Sequence, residues 1–185
     1  MNKLIGLHGD AGCGKDEAGN CLVVNEGFVV DKFAMPMYQA LAAMFGTTVE
    51  AVELGKRAGY RPDGIDLTYR ELLQTLGTEW GRDIVHPELW VLRAQQRIAA
   101  TSKNTVFTDV RFDNEAKMIL QRGGMVFKIV RPGMEKISKS GHSSENGISD
   151  AFISDTIVND EGINELHKKI RWLVRNIDKD LNFTY

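Results

Sequence analysis

The sequence predicts an α/β fold with a mainly parallel sheet, and three observations carry that prediction. Five short β-branched or apolar runs recur along the chain. Helical periodicity separates most of them, and the first run passes through a glycine-rich turn straight into a helix. The runs are Lys3 to His8, Phe28 to Phe33, Thr105 to Val110, Met125 to Val130 and Thr156 to Val158. Strands joined by helical crossovers pair in parallel, so a single sheet with helices on its faces is expected.

At 185 residues and 43% hydrophobic content, the chain suits one globular domain with a core of its own rather than two. Its formal charge of −2 and pI of about 6.1 give no excess of cations for long nucleic acid, so any nucleotide partner is expected to be small. The start, MNKLIGLHG, lacks the apolar stretch of a signal peptide, and no run approaches membrane-spanning length. Cys13 and Cys21 have neither zinc-ligand spacing nor a framework of partners, which fits a reducing cytoplasm. His8, His86, His142 and His167 are scattered and suggest no metal cage. Whether the chain is a monomer or a homodimer is left open.

Between the second and third runs, residues 35–102 read almost wholly helical, an insertion long enough to be an acceptor-binding subdomain. Its clearest helix spans Thr68 to Arg82, with Tyr69, Leu72, Leu73, Leu76 and Trp80 on one side and Arg70, Gln74, Thr78 and Arg82 stepping by four along the other. The second stripe is either a solvated face or an anion site. Trp80 lies in register with the leucines, which favours a core role over stacking on a base. Pro132-Gly133 opens a segment rich in Gly, Ser and Lys, residues 131–149, that reads as a loop or lid. Within it Lys136, Lys139, His142, Ser143, Ser144 and Glu145 form a polar cluster, either closing over substrate or simply solvated. A last helix, Glu161 to Ile177, places Ile163, Leu166, Ile170 and Leu173/Val174 on one side.

The chemistry is clearest at Gly9-Asp10-Ala11-Gly12-Cys13-Gly14-Lys15, which fits GxxxxGK between the first strand and the first helix. Glycines permit a tight path in which successive N–H groups point inward at phosphate oxygens. The helix N-terminus adds partial positive charge, and Lys15 reaches the β- and γ-phosphates. Asp16 stands where Ser or Thr usually contacts Mg²⁺. A carboxylate so near a triphosphate calls for a cation between them, so Asp16 is the candidate Mg²⁺ contact, directly or through water. Asp16 and Glu17 equally suit the first turn of a helix on dipole grounds. Cys13 reads as a small neutral filler, with a reactive thiol as the alternative.

Further along, RELLQTLGTEWGRDIVHPELWV, FTDVRFDNEA, and KIVRPG followed by HSSENGI stand in that order after GDAGCGKD. Together these blocks resemble the phage-type deoxynucleoside monophosphate kinases of the P-loop nucleotide-kinase superfamily. The resemblance takes in well over half the chain, and GTEWGR with DVRFxNEA is far more specific than the phosphate loop. It implies a five-stranded parallel sheet of order 2-3-1-4-5 flanked by helices, with a helical acceptor-binding insertion and a lid. It also implies transfer from ATP, with Mg²⁺, to a deoxynucleoside monophosphate in host cytoplasm. One stretch departs: where such proteins often carry an FADPLK-like segment, this chain has Phe33-Ala34-Met35-Pro36-Met37-Tyr38, which leaves base preference open.

Phosphoryl transfer asks a protein mainly to position two anions and neutralise charge. Lys15, Arg111 and Asp109 are therefore the expected catalytic residues. Asp109 and Arg111 end the third strand, where open α/β sheets bind ligands, with a mutual salt bridge as the alternative. Gly9 to Glu17 and Arg131 are expected to bind ATP. Arg70 and Arg82 are expected to hold the acceptor phosphate in a two-pronged grip, with Trp80, Glu79 and, less centrally, His86 beside them. His142, Ser144 and Glu145 are the lid candidates. The rival readings are another small-molecule P-loop kinase, such as one resembling dephospho-coenzyme A kinase, and a nucleotide-binding switch that transfers no phosphate.

Overall fold

Each of the five predicted runs contributes a strand to a single sheet in the computed structural model, which describes residues 2–133 and 147–180. The strands are β1 (Leu4–His8), β2 (Val29–Asp31), β3 (Thr105–Phe107), β4 (Met125–Val130) and β5 (Asp155–Val158). All pair in parallel, in the order β2-β3-β1-β4-β5, as expected. In register, Leu4 of β1 faces Thr105 of β3, while Ile5 faces Met125 of β4. β1 is thus the central strand, and its carboxyl end carries the phosphate loop.

The chain forms two compact units, one built on the sheet and one running over Lys32–Ala100. In the sheet unit, α1 (Lys15–Glu26), α6 (Asp113–Gln121) and α7 (Ile163–Asp180) flank the strands. Alternation along β1 sends Ile5 and Leu7 into a core with Leu22 of α1 and Leu166, Ile170 and Val174 of α7, while Gly6 lies against Ile119 of α6 on the opposite face. The α7 stripe extends to Ile177, whereas Ile163, at the helix start, stays exposed. Polar contacts fasten α7 to α1: His167 Nε2 lies 2.8 Å from Glu17 Oε1, and Arg171 and Arg175 both form ion pairs with Glu26. Burial raises the Glu26 pKa, but the hydrogen bonds from Arg175 and Arg171 outweigh it and keep that carboxyl below its ordinary range.

The Lys32–Ala100 unit is helical: α2 (Met35–Met44), α3 (Val49–Ala58), α4 (Tyr69–Thr75), a π-helix (Leu76–Val85) and α5 (Leu89–Ala99). Met37, Tyr38, Leu41, Val52, Leu73 and Trp90 form its core. Thr68 starts α4 with a reciprocal cap, its Oγ1 accepting from Glu71 N (3.3 Å) while its N–H donates to Glu71 Oε2 (2.7 Å).

The expected helix over Thr68 to Arg82 begins on schedule and then changes pitch. From Leu76 the backbone bonds run i→i+5, closing with His86 N to Gly81 O at 3.0 Å. A π turn advances each residue by less than the ~100° of an α-helix, so the two stripes drift out of register. Two expectations are corrected as a result. Trp80, placed in the core by α-helical spacing, is 47% exposed, and Arg82, placed on an open polar stripe, is 9% exposed. In place of Trp80, Gly77 and Gly81 face inward, which lets Met37 Sδ and the Trp90 ring press directly on the helix backbone. The Trp90 indole N–H donates to Gly77 O at 2.7 Å, spending a buried donor on that segment.

Candidate phosphate-binding site

His8 ends β1, and the next six residues turn back into α1, whose first residue is Lys15. Gly9, Gly12 and Gly14 take φ of 143°, 80° and 113°, a region L side chains avoid. Space is short at Gly9 and Gly14 as well: a Cβ on Gly9 would collide with Ile129 O, and one on Gly14 would come within 2.8 Å of Asn159 Nδ2. The motif glycines are therefore demanded by the path of the loop. Cys13 is buried in the sheet unit's core, which fits the filler reading.

Lys15 arches back over the loop, its ammonium donating to Gly9 O (2.7 Å) and Asp10 O (2.6 Å), with Cys13 Sγ 3.7 Å away. The cation is thus held against the loop by the loop's own carbonyls. Asp16 is exposed in the first turn of α1. Glu17, expected beside the nucleotide, turns instead to His167, because α7 packs along that side of α1.

Beside the loop, His8 is half-buried, and its Nδ1 lies 2.9 Å from Val110 O. Burial pushes its pKa below the ordinary 6.5; the bond to Val110 opposes this, and Lys15 and Lys128 reinforce it. With a carbonyl as partner, Nδ1 must be the protonated nitrogen of the neutral ring. Asp109 and Arg111 follow β3, each half-buried. Their segment is held by Glu115 of α6, a buried carboxylate accepting from Arg111 N (2.7 Å) and Phe112 N (3.1 Å). Arg131, just past β4, is exposed.

In the helical unit, Arg70 is exposed on α4 and Glu79 is exposed on the π-helix. The buried Arg82 donates from Nη1 to Pro87 O at 3.2 Å. The lid candidates His142, Ser144 and Glu145, with Lys136, Lys139 and Ser143, lie outside the described residues. At the far end of the expected lid segment, Ser149 N donates to Asp113 Oδ1 at 2.8 Å.

Three residues around the loop were not anticipated: His8, Glu115 and Asn159, whose Nδ2 donates to Cys13 O at 2.9 Å. Of these, Glu115 has a local rationale, a carboxylate in the first turn of α6. Among the described residues, no group of three or more His, Cys, Asp or Glu is arranged to hold a metal ion, and no helix is long and apolar enough to cross a membrane.

The family model for deoxynucleotide monophosphate kinases matches residues 63–170, more than half of the chain. A deoxynucleoside-5'-monophosphate kinase from Escherichia phage T5 is 27% identical over 92% of this chain and 95% of its own. A putative deoxynucleotide monophosphate kinase from Acanthamoeba polyphaga mimivirus is 31% identical over 94% of this chain and 96% of its own. Among solved structures, a shikimate kinase from Aquifex aeolicus aligns over 94% of this chain and 96% of its own, at 10% identity and a TM-score of 0.49. The matched span takes in both GTEWGR, with its inward glycines, and DVRFDNEA, with its buried Glu115, and on these findings the chain belongs to the deoxynucleotide monophosphate kinase family.

Proposed function

We propose that this chain is an ATP-dependent deoxynucleoside monophosphate kinase, converting dNMP and ATP to dNDP and ADP for the supply of DNA precursors. The observation that carries the reading is a glycine-built loop between β1 and α1 with Lys15 folded back onto it, in a chain of this family. An oxygen of the acceptor phosphate attacks the γ-phosphorus, the bond to the β–γ bridging oxygen breaks, and ADP leaves with that oxygen's charge. Inward N–H groups of the loop and the Lys15 ammonium hold the β- and γ-phosphates through this change. Arg111 offsets the charge that builds on the transferred group, and Asp109 orients the acceptor or the metal shell. Arg131 supports the donor nucleotide.

Arg70 and Arg82 hold the acceptor phosphate, with Trp80 and Glu79 toward the nucleoside. Half-exposed, Trp80 has an indole face free enough of the core to stack on a base. Arg82 is well suited because its bond to Pro87 O restrains the guanidinium, so less freedom is lost on binding phosphate. Mg²⁺, held by Asp16 directly or through water and by the triphosphate itself, would neutralise phosphate charge. Magnesium commonly uses one or two carboxylates plus phosphates and water, so a site of this kind needs no preformed protein cage.

We further propose that the whole chain acts as one kinase domain, with its long helical insertion taking the acceptor and residues 131–149 acting as a lid, in host cytoplasm. The test is ADP release measured by a coupled assay across dNMPs, NMPs and non-nucleotide acceptors such as dephospho-coenzyme A. Turnover with one or more dNMPs is expected. A flat response to every dNMP defeats the acceptor assignment, and turnover with dephospho-coenzyme A alone replaces it.

A further inference from the structure

We propose that Asn159 is a positioning residue that holds the phosphate loop in its nucleotide-binding shape; the inference rests on the proposed use of that loop for ATP. A phosphate loop works when its carbonyls point away from the anion and its N–H groups toward it. Each peptide plane is rigid, so fixing a carbonyl aims the N–H across the same bond. Asn159 Nδ2 donates to Cys13 O at 2.9 Å, and the peptide it grips carries the N–H of Gly14, one residue before Lys15. A carbonyl only accepts, so the group facing it must be the amide nitrogen of the asparagine.

The grip is firm because Asn159 is itself anchored. Its backbone N–H donates to Val130 O at 2.8 Å, carrying the β4–β5 ladder one step beyond β5. The turn after it is tied down by Lys169 Nζ, which reaches Val158 O (2.9 Å), Asp160 Oδ1 (3.2 Å) and Glu161 Oε1 (3.0 Å). The loop is also seated against the same residue by shape: a Cβ on Gly14 would meet Asn159 Nδ2 at 2.8 Å and Leu166 Cδ2 at 3.0 Å. Contact and hydrogen bond together transmit the position of the sheet edge to the peptide that faces phosphate.

The discriminating variant is Asn159→Leu, which keeps the branched shape against Gly14 and Leu166 and removes the donor without adding charge. The readout is binding of MgATP to the full chain by calorimetry, alongside KM for ATP and for the dNMP and the thermal midpoint. Loss of one neutral hydrogen bond that shapes the site predicts a rise of about three- to tenfold in Kd and KM for ATP. KM for the dNMP and the midpoint should stay close to wild type. Unchanged ATP affinity overturns the proposal, and so does a parallel rise in both KM values with a fallen midpoint, which marks a purely structural residue. If Asn159→Leu does not fold, Asn159→Ala is read against the same outcomes. Because ATP binding needs no acceptor, the result stands apart from the dNMP panel, whose failure would leave this inference intact. A wild-type chain that binds no MgATP would overturn both.

Discussion

Replacing Gly81 with alanine tests the most unusual element of the molecule, the π-helix. Gly81 is not at positive φ, so alanine is free to adopt its backbone conformation and, in open space, would favour a helix by up to about 1 kcal/mol. The space is not open: the added Cβ would lie 2.5 Å from Trp90 Cζ2, 2.8 Å from Cε2 and 2.9 Å from Leu76 O. The Trp90 ring cannot yield cheaply, since it is 5% exposed and its N–H is bonded to Gly77 O. Overpacking of this kind costs about 1–3 kcal/mol, and complete expulsion of the ring would approach the ~3–5 kcal/mol of a Trp→Ala change. With the helix gain subtracted, the expected loss is about 1 kcal/mol and no more than about 4. In urea denaturation followed by far-UV circular dichroism, with a slope of ~2 kcal/mol/M, the midpoint should fall by about 0.5 M. Repeating the change in a Trp90→Leu background, where the ring is gone, should remove most of the cost. Gly81→Ala as stable as wild type, or equally costly in both backgrounds, would refute the packing argument.

The other expectations concern the site. Lys15→Ala should abolish turnover while the denaturation midpoint stays near wild type, because the bonds its ammonium makes to Gly9 O and Asp10 O can be replaced by water in the half-exposed turn. Arg82→Ala should chiefly raise KM for the acceptor, by about ten- to a hundredfold for a charge-assisted phosphate contact; unaltered acceptor kinetics would remove that role. Glu115→Ala strands two backbone donors, Arg111 N and Phe112 N, and should cost about 2–3 kcal/mol in urea, with Glu115→Gln milder because it keeps an accepting oxygen. For His8 the folded pKa lies below 6.5, so as the pH falls the unfolded chain takes up the proton first. The stability of the neutral ring is complete above 6.5 and is lost as the pH drops from there toward the folded value. His8→Asn, which keeps a polar atom near the Nδ1 position facing Val110 O, should flatten this part of the stability profile, and an unchanged slope would exclude His8 as its source.

How much of this molecule could be read in the sequence depended on whether the relevant physics was local. The strands announced themselves as short β-branched runs, and the phosphate loop as glycines at positions whose backbone angles admit little else. The π-helix did not, because leucines at three- and four-residue spacing satisfy an α-helix equally well up to Leu76. The sign of the change was Gly77 and Gly81, two residues of low helix propensity inside a supposed helix, which make sense only once Met37 and Trp90 are seen against them. Partners far apart in the chain left no local trace at all: Glu17 with His167, and Cys13 with Asn159, are each brought together only by the packing of α7 and the last strand against α1 and its loop.

That difference also explains which expectations about the site needed correction. A motif states that a loop can take phosphate, since glycine conformation and a following lysine are properties of consecutive residues. It is silent on what holds the loop in that shape, because a carbonyl carries no side-chain identity and its partner can come from any strand edge that reaches it. Arg82 shows the converse. Stepping by four from Arg70 placed it on a polar stripe, either a solvated face or an anion site, and the change of pitch buries it, with its guanidinium bonded to Pro87 O. For a phosphate ligand the restrained guanidinium is the better partner, because its position is already fixed when the anion arrives.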